Sequence, residues 1–183
     1  MANNLQFVPV TSQEDQEQLA KLAAEIWGEY WPDRIGQAQT DYMIEQYQSL
    51  DAIKDQMANQ AYEYWFCCVD PTLSDSTYKT ADGQAIVGFT GGHNEDETNR
   101  YYISKIYLLA AERGKHYASQ IIAMYNQLCL DRGYRAAYLC VNKYNEMGVR
   151  AYKAKGFVVI DNVETDIGQG FIMDDYIMEM PAK

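Results

Sequence analysis

Apolar residues recur at helical spacing in several parts of the chain. The first such stretch follows Ser12, where Asp15 three positions later makes a capping-box signature. Its apolar face consists of Leu19, Leu22, Ala23, Ile26, Trp27 and Tyr30. Pro32, with Gly36 shortly after it, is expected to end this helix and open a loop. Further helices are predicted over residues 40–59, with a break near Ser49, and over 115–132 and 146–155.

Short apolar runs between these helices predict strands. They cover residues 5–10, 62–69, 85–90, 101–109, 136–141, 157–163 and 171–180. A polar loop is expected over 71–83, and an acidic loop over 94–99 follows Gly91, Gly92 and His93. The strand–helix–strand passage in the middle implies a right-handed parallel crossover, whereas the flanking hairpins are antiparallel. The pattern therefore predicts one α/β domain over residues 1–183, with a single mixed, mostly antiparallel sheet around a central parallel strand pair and flanking helices.

The composition indicates a globular protein, because 48% of the 183 residues are hydrophobic and 22% are charged. No uncharged apolar run approaches the roughly 18 residues of a membrane span. The N-terminus has neither a basic start nor an apolar run, so no secretory signal is expected. We therefore expect a cytoplasmic protein that does not enter a membrane.

Acidic residues outnumber basic ones by 26 to 15, which leaves a formal net charge of −11. A surface of this sign repels nucleic acid and anionic lipid, so neither is an expected partner. It attracts cationic small molecules, although acidity that serves solubility alone is the alternative.

The four cysteines, Cys67, Cys68, Cys129 and Cys140, follow no metal-binding spacing, and no metal is expected. Their apolar surroundings predict buried free thiols in a reducing compartment. A catalytic thiol would need a neighbouring histidine, and the chain has only His93 and His116.

Candidate chemistry is concentrated in two segments, of which the first joins a strand to a helix. Arg113, Gly114 and Lys115 stand between the strand ending near Leu109 and the helix that follows. The unpaired amides of a helix N-terminus, next to two cations, suit a pyrophosphate group. The segment matches neither the GxxxxGK[S/T] loop nor the GxGxxG fingerprint, so on its own it indicates little.

The second segment joins the next strand to a short helix. Asn145 is suited to cap that helix, Tyr152 lies two turns into it, and Gly156 with Phe157 returns the chain to the sheet. Tyr152 shares a helix face with Val149, so a core position and a functional position are both open for it.

Together the two segments resemble motifs of the GNAT superfamily of acyl-CoA-dependent N-acyltransferases. The first resembles the loop Arg/Gln-x-x-Gly-x-Gly/Ala, with Arg113 and Ala118 at the first and last positions. The second resembles the pattern Asn-x-x-Ala-x-x-x-Tyr-x-x-x-Gly-Phe, which is met by Asn145, Tyr152, Gly156 and Phe157. The order of elements also agrees over nearly the whole chain.

Three departures from the family pattern affect what can be carried over. His116 stands at the middle glycine of the loop, so its Cβ crowds a place where backbone approaches phosphate unless the side chain turns outward. Gly148 replaces the alanine of the second motif, a smaller residue that the helix should tolerate. Ser104 stands where many members have a glutamate that acts as general base.

The resemblance implies a GNAT fold in which the two central strands splay apart and hold the pantetheine arm of acetyl-CoA. It implies that the amide of Leu108 stabilises the oxyanion and that Tyr152 protonates the leaving thiolate. The residues it assigns to cofactor binding are Ile106, Tyr107, Leu108, Leu109, Arg113, Gly114, Lys115, His116, Tyr117, Ala118, Ser119, Asn145 and Tyr152.

The acceptor amine must lose a proton before it attacks, which at pH 7 costs about 4–5 kcal/mol for a pKa near 10.4. Because Ser104 cannot act as the base, His93 is the predicted proton acceptor, directly or through water. A solvated His93 is the alternative. The acidic residues Glu95, Asp96 and Glu97 could attract a cationic acceptor, or they could form an ordinary solvated loop.

The acceptor is expected to be a small cationic amine such as a polyamine. Aromatic residues with nearby carboxylates in the first helices suit a cation, although core packing explains them equally well: Trp27, Tyr30, Trp31, Tyr42, Glu29, Asp33 and Glu45. The layout is similar to that of bacterial spermidine/spermine acetyltransferases. The alternatives are acetylation of a protein N-terminus or lysine, and an acyl-CoA-binding module without catalysis. Many GNAT proteins form dimers, so a homodimer is an expectation too.

Overall fold

The computed structural model describes residues 4–183 and divides them into two compact units. The first unit runs up to Gly92 and includes Lys105–Gln120, and the second consists of His93–Ser104 and Ile121–Lys183. The prediction of one domain over residues 1–183 stays a prediction. No helix among the described residues is long and apolar enough to cross a bilayer.

Seven strands and six α-helices make up the described part of the chain. The strands are β1 Gln6–Pro9, β2 Glu63–Val69, β3 Ala85–Glu95, β4 Arg100–Leu108, β5 Ala136–Asn142, β6 Val158–Gly168 and β7 Phe171–Pro181. The helices are α1 Gln13–Tyr30, α2 Pro32–Ile35, α3 Gln37–Tyr47, α4 Leu50–Asn59, α5 Tyr117–Arg132 and α6 Glu146–Ala154. The strand order is β1-β2-β3-β4-β5-β7-β6.

The pairing of the strands confirms the predicted fold class. The β4–β5 pair is parallel, whereas β1–β2, β2–β3, β5–β7 and β6–β7 are antiparallel. The parallel ladder matches only three residue pairs, from Arg100 opposite Ala136 to Tyr102 opposite Tyr138. Strand β4 has nine residues and β5 has seven, so this ladder occupies a minor part of both strands.

The core of the first unit lies between its strands and helices α1 and α4. Ser12 caps α1 as predicted, since its Oγ accepts a hydrogen bond from the amide of Asp15 at 3.0 Å and the Asp15 carboxylate accepts from the amide of Ser12. The helix face predicted from spacing is buried from Leu19 to Trp27. The core cluster is Val10, Leu19, Leu22, Ala23, Ile26, Ile53, Tyr64, Phe66, Cys68, Ile86, Phe89 and Leu109.

Two predicted boundaries are wrong, and one is confirmed. Pro32 does not open a loop but begins α2, because proline is tolerated at the first helical position, where its missing N–H is not needed. Strand β3 continues to Glu95, so His93 lies within a strand, and only a 3-10 turn at Asp96–Thr98 remains of the predicted acidic loop. The break at Ser49 is confirmed, since this residue caps α4.

The second unit contains a long antiparallel ladder of β5, β7 and β6 and a network of ion pairs. Glu179 on β7 accepts hydrogen bonds from both Arg100 and Arg135. The guanidinium of Arg100 lies 4.2 Å from the ring of Tyr138, and the Tyr138 hydroxyl donates to Glu95. The start of β4 is therefore fixed to β5 and β7 by charged and aromatic contacts.

All four cysteines are free thiols, as predicted. Cys67, Cys68 and Cys129 are buried, and Cys140 is half-buried. Burial raises the pKa of Cys68 to about 12 and that of Cys129 to about 11, so neither thiol is a nucleophile at neutral pH.

Candidate functional site

In the first unit, the end of β4 is held tightly against β3. A Cβ atom added to Gly88 on β3 would lie 2.2 Å from the carbonyl oxygen of Tyr107, so only glycine permits this approach. The amide of Leu109 donates to the carbonyl of Val87 at 3.0 Å. The ring of Tyr107 packs against the rings of Phe89 and Trp27, with centroids 5.4 and 5.7 Å away. These contacts therefore hold residues 106–109 in a fixed position against β3.

The loop after β4 turns through two residues with positive φ before α5 begins. A 3-10 turn at Ala110–Glu112 leads to Gly114 at φ +79° and His116 at φ +65°. His116 thus adopts the left-handed conformation that glycine takes most readily, at a cost of about 1–2 kcal/mol. Its side chain is exposed, which is the outward orientation that the amide needs in order to donate to a phosphate.

Both cations of this loop are already engaged by the protein. The Arg113 Nε donates to the carbonyl of Leu108 at 3.2 Å, and the guanidinium lies 5.0 Å from the ring of Tyr30. Lys115 pairs with Glu112 at 2.9 Å, and this contact raises the pKa of Lys115. The Glu112 side chain is buried and also accepts a hydrogen bond from Ser74 at 2.7 Å. Because Lys115 is paired with Glu112, the loop has a smaller net positive charge than two unpaired cations would give it.

In the second unit, Asn145 caps α6 through its side chain. Its Oδ1 accepts a hydrogen bond from the amide of Gly148 at 3.0 Å. A Cβ atom at Gly148 would lie 2.7 Å from the Asn145 Nδ2, so the glycine that departs from the family pattern makes room for this cap. Tyr152 is half-buried on α6, and its ring packs edge-on against Phe157 with centroids 5.7 Å apart.

His93, the predicted proton acceptor, is half-buried on β3. Its Nδ1 lies 3.1 Å from the backbone carbonyl of Asn94, so Nδ1 carries the proton in this contact because a carbonyl only accepts. The ring packs edge-on against Tyr102, with centroids 5.3 Å apart. Ser104 is half-buried on β4, at the position where the family has a glutamate.

The aromatic residues at the end of α1 are packed rather than open. Trp27 and Trp31 are buried, with ring centroids 5.3 Å apart. The ring of Tyr30 is faced by two guanidinium groups, that of Arg34 at 3.7 Å and that of Arg113 at 5.0 Å. Core packing, the alternative given for these residues, therefore describes Trp27 and Trp31, and arginines rather than an open surface face Tyr30.

An acidic cleft of about 550 Å³ lies in the first unit, beside the loop that follows β4. It is lined by Glu25, Glu29, residues 72–78 and 109–112, and Lys115. Its carboxylates belong to Glu25, Glu29, Asp75 and Glu112. The Tyr78 hydroxyl donates to Glu25 at 2.8 Å and thereby ties the polar loop to α1. Sequence reasoning identified Glu29 but missed the contribution of residues 72–78, which have no pattern beyond that of a polar loop.

The predicted site residues fall into two groups. Residues 106–119 lie on the continuous segment from the end of β4 to the first turn of α5, in the first unit. His93, Asn145 and Tyr152 belong to the second unit. Within residues 4–183, no three His, Cys, Asp or Glu side chains are grouped as they would be around a metal ion.

Comparison with known proteins relates the chain to acetyltransferases. A family model described as the acetyltransferase (GNAT) family matches residues 19–157. The PaiA N-acetyltransferase of Thermoplasma acidophilum, crystallised with coenzyme A, is 20% identical, with 99% of both chains covered and a TM-score of 0.71. Mutant forms of the spermidine/spermine N-acetyltransferase SpeG of Vibrio cholerae are 15% identical, with 99% of this chain and 94% of that chain covered and a TM-score of 0.62. A search of curated proteins gives no significant match.

Proposed function

The chain belongs to the GNAT family of N-acetyltransferases, and from this membership we propose that it transfers the acetyl group of acetyl-CoA to a primary amine of a small cationic acceptor such as a polyamine. The observation that carries the proposal is the acidic cleft beside the loop that follows β4.

The charge and size of the cleft favour a small cation. Four carboxylates face one ammonium group, that of Lys115, and this ammonium is already paired with Glu112. A volume of about 550 Å³ is typical of sites for small molecules. Since the whole chain carries a net charge of −11, its field also draws cations toward the surface. A flexible acceptor with several amines gains from each carboxylate it meets. The spermidine acetyltransferase SpeG shares the fold, so the fold is compatible with such an acceptor.

Acetyl-CoA is the second substrate, and we assign its diphosphate to the amides that open α5. Three features fit this group: the length of α5, which has 16 residues, the positive φ at Gly114 and His116, and the exposed imidazole. A helix start of this kind offers unpaired N–H groups and the positive end of the helix dipole. Because Lys115 is paired with Glu112, the amides contribute more than the side-chain charges do.

Two further residues are assigned roles in the transfer itself. The amine attacks the thioester carbonyl, and the carbonyl oxygen becomes negative. The amide of Leu108, which belongs to the segment 106–109 held against β3, stabilises this oxygen. The C–S bond then breaks, and the Tyr152 hydroxyl gives its proton to the thiolate. Both assignments follow from the family resemblance.

The acceptor is tested by measuring thiol release from acetyl-CoA with a panel of amines. Spermidine and spermine should be acetylated with a higher kcat/KM than monoamines of equal basicity, and than peptides with a free N-terminus or a lysine. Removing one cleft carboxylate in Glu29→Gln should raise KM for spermidine by about three- to fivefold at low salt, and added salt should shrink the difference.

Glu14→Gln is the matched control, because it makes the same charge change in the exposed first turn of the same helix. It should leave KM for spermidine unchanged. A higher kcat/KM for peptides would favour the protein-acetylating alternative. Equal KM values for spermidine in Glu29→Gln and Glu14→Gln would show that the cleft does not bind the acceptor.

A further inference from the structure

Glu112 is a buried carboxylate at the point where the acidic cleft meets the loop that leads into α5. Its side chain is 4% exposed, and both of its oxygens are engaged. The Ser74 hydroxyl donates to Oε1 at 2.7 Å, and the Lys115 ammonium donates to Oε2 at 2.9 Å. All three residues line the cleft and belong to the first unit. Because a buried charge is costly to the fold unless it is paired, Glu112 requires a cation beside it.

The two partners of Glu112 differ in their freedom to move. Ser74 is buried, and its Oγ also accepts a hydrogen bond from the amide of Ser76 at 3.1 Å. The Lys115 side chain is 39% exposed, and its ammonium is carried on a flexible four-carbon stem. The preceding residue, Gly114, has open space around it, since a Cβ atom there would meet nothing within 4 Å. Lys115 is therefore the partner that can leave Glu112.

A diphosphate at the start of α5 would compete with Glu112 for this ammonium. Lys115 stands two residues before Tyr117, the first residue of α5, within the segment whose amides are assigned to the diphosphate. Lysine is a common phosphate ligand in proteins. If Lys115 moved to the diphosphate alone, however, Glu112 would keep only the neutral Ser74 as its partner. Removing the cation from a buried ion pair is strongly unfavourable, so Glu112 opposes this movement.

A cation bound in the cleft would remove that opposition. The cleft already stabilises one ammonium group, because its hydrogen bond to Glu112, with a smaller effect of Asp75, raises the pKa of Lys115. Both carboxylates line the cleft in which the acceptor is proposed to bind. An ammonium group of the acceptor can therefore replace that of Lys115 at Glu112, and the buried carboxylate stays paired throughout.

We propose that Glu112 is a positioning residue that couples the two substrates by exchanging its cation. When a cationic acceptor binds, its ammonium takes the place of Lys115 at Glu112, and Lys115 turns to the diphosphate of the coenzyme. Each substrate then strengthens the binding of the other, because coupling between two binding sites is reciprocal. The inference rests on the proposed function in that it requires a cationic acceptor in the cleft and a diphosphate at the start of α5.

The first test is a calorimetric titration with coenzyme A, which carries no acetyl group and so gives no turnover. Saturating spermidine should lower the Kd of the wild-type protein for coenzyme A by about fivefold or more at physiological ionic strength. In Lys115→Gln the same addition should change this Kd by no more than about twofold, since only the screened attraction between the two ligands remains. Without coenzyme A, Lys115→Gln should bind spermidine more tightly than the wild type does, because no lysine competes for Glu112.

The second test needs no amine. Glu112→Gln keeps the shape of the side chain and an oxygen that can accept from Ser74, but it releases Lys115. Coenzyme A alone should bind this variant about fivefold more tightly than the wild type, and spermidine should add little. Adding Lys115→Gln to Glu112→Gln should abolish the gain. If Glu112→Gln does not fold, the comparison between the wild type and Lys115→Gln still decides the inference.

Glu29→Gln is the matched control, because it removes another carboxylate of the same cleft and leaves the pair of Glu112 and Lys115 in place. Saturating spermidine should still tighten coenzyme A binding in this variant. Equal tightening in Lys115→Gln and the wild type, or a gain in Glu112→Gln that survives in the double variant, would overturn the inference. If spermidine does not bind to the wild type, the proposed acceptor fails. The comparison of Glu112→Gln with the double variant then still shows whether Glu112 holds Lys115 away from the coenzyme.

Discussion

Replacing Gly88 by alanine adds a methyl group where β3 and β4 lie closest together. The new Cβ would lie 2.2 Å from the carbonyl oxygen of Tyr107, 2.8 Å from the Leu108 Cδ2 and 3.0 Å from the Leu108 Cα. Since ordinary contacts between such atoms begin near 3.5 Å, the two strands must separate locally by about 1 Å. Two of the three clashing atoms belong to the backbone, so a change of rotamer cannot relieve the overlap.

The expected destabilisation is about 3 kcal/mol or more. Overpacking of a close-packed core costs about 1–3 kcal/mol, and a clash with backbone lies at the upper end of that range. This is a large part of the 5–15 kcal/mol that stabilises a typical domain. Some of the displaced atoms belong to Leu108, whose amide is assigned to stabilise the oxyanion. We therefore expect the protein that remains folded to lose activity as well, by a factor larger than its loss of coenzyme A affinity.

The assay combines urea unfolding, calorimetric titration with coenzyme A and steady-state kinetics. Gly28→Ala is the matched control, because this residue lies inside α1 and a Cβ atom added to it would meet no neighbouring side chain or strand within 4 Å. That change should stabilise the protein by about 0.5–1 kcal/mol. An unchanged unfolding midpoint together with unchanged kcat in Gly88→Ala would refute the argument that this contact fixes the end of β4.

Three other variants test separate parts of the account. His116→Gly should relieve the left-handed backbone and raise the free energy of unfolding by about 1 kcal/mol, and because it also removes the crowding Cβ, calorimetry should show tighter binding of coenzyme A. Tyr152→Phe keeps the ring contact with Phe157 but should lower kcat about 100-fold. An unchanged kcat would mean that another group, not Tyr152, gives the thiolate its proton. Asp175 on β7 is buried, so Asp175→Asn should raise the melting temperature at pH 8 and change it little at pH 4, and a drop at pH 8 would contradict the burial cost of this carboxylate.

The sign of the last effect follows from the pKa of Asp175. In the folded chain this pKa is about 6, whereas the ordinary value is 3.8, so the folded protein binds the proton more strongly. The stability that comes from the neutral carboxyl is fully present below pH 4 and is lost as the pH rises through 6. A shift of this size corresponds to about 1–3 kcal/mol. Asparagine carries no charge at any pH, so the variant avoids this loss.

Local sequence signals predicted most of the elements correctly. The capping box at Ser12, the apolar face of α1 and the start of α4 at Ser49 depend on residues a few positions apart, and all are confirmed. The parallel β4–β5 pair also follows from the order of elements, because a helix must connect two parallel neighbours. The first helix ends just before Pro32 as predicted, but Pro32 begins a second helix where a loop was expected.

The features that were missed depend on contacts between distant residues. Glu112 is held by Ser74, 38 positions away, and neither residue stands out in the sequence. Residues 72–78 belong to a polar loop, and only the fold shows that they line the same cleft as Glu25 and Glu29. Asp175 lies in an ordinary strand pattern, and only its burial opposite Asn142 distinguishes it. A cytoplasmic location, a homodimer and the absence of nucleic-acid or membrane partners remain predictions.

The central claim is that the amides from Gly114 to Ser119 hold the diphosphate of acetyl-CoA. The most direct measurement is a titration of isotope-labelled protein with coenzyme A, followed through its backbone amide resonances. We predict the largest downfield shifts for residues 114–119, and much smaller shifts for the same residues with a pantetheine fragment that lacks the diphosphate. Binding of coenzyme A that leaves these six amides unchanged would contradict the account.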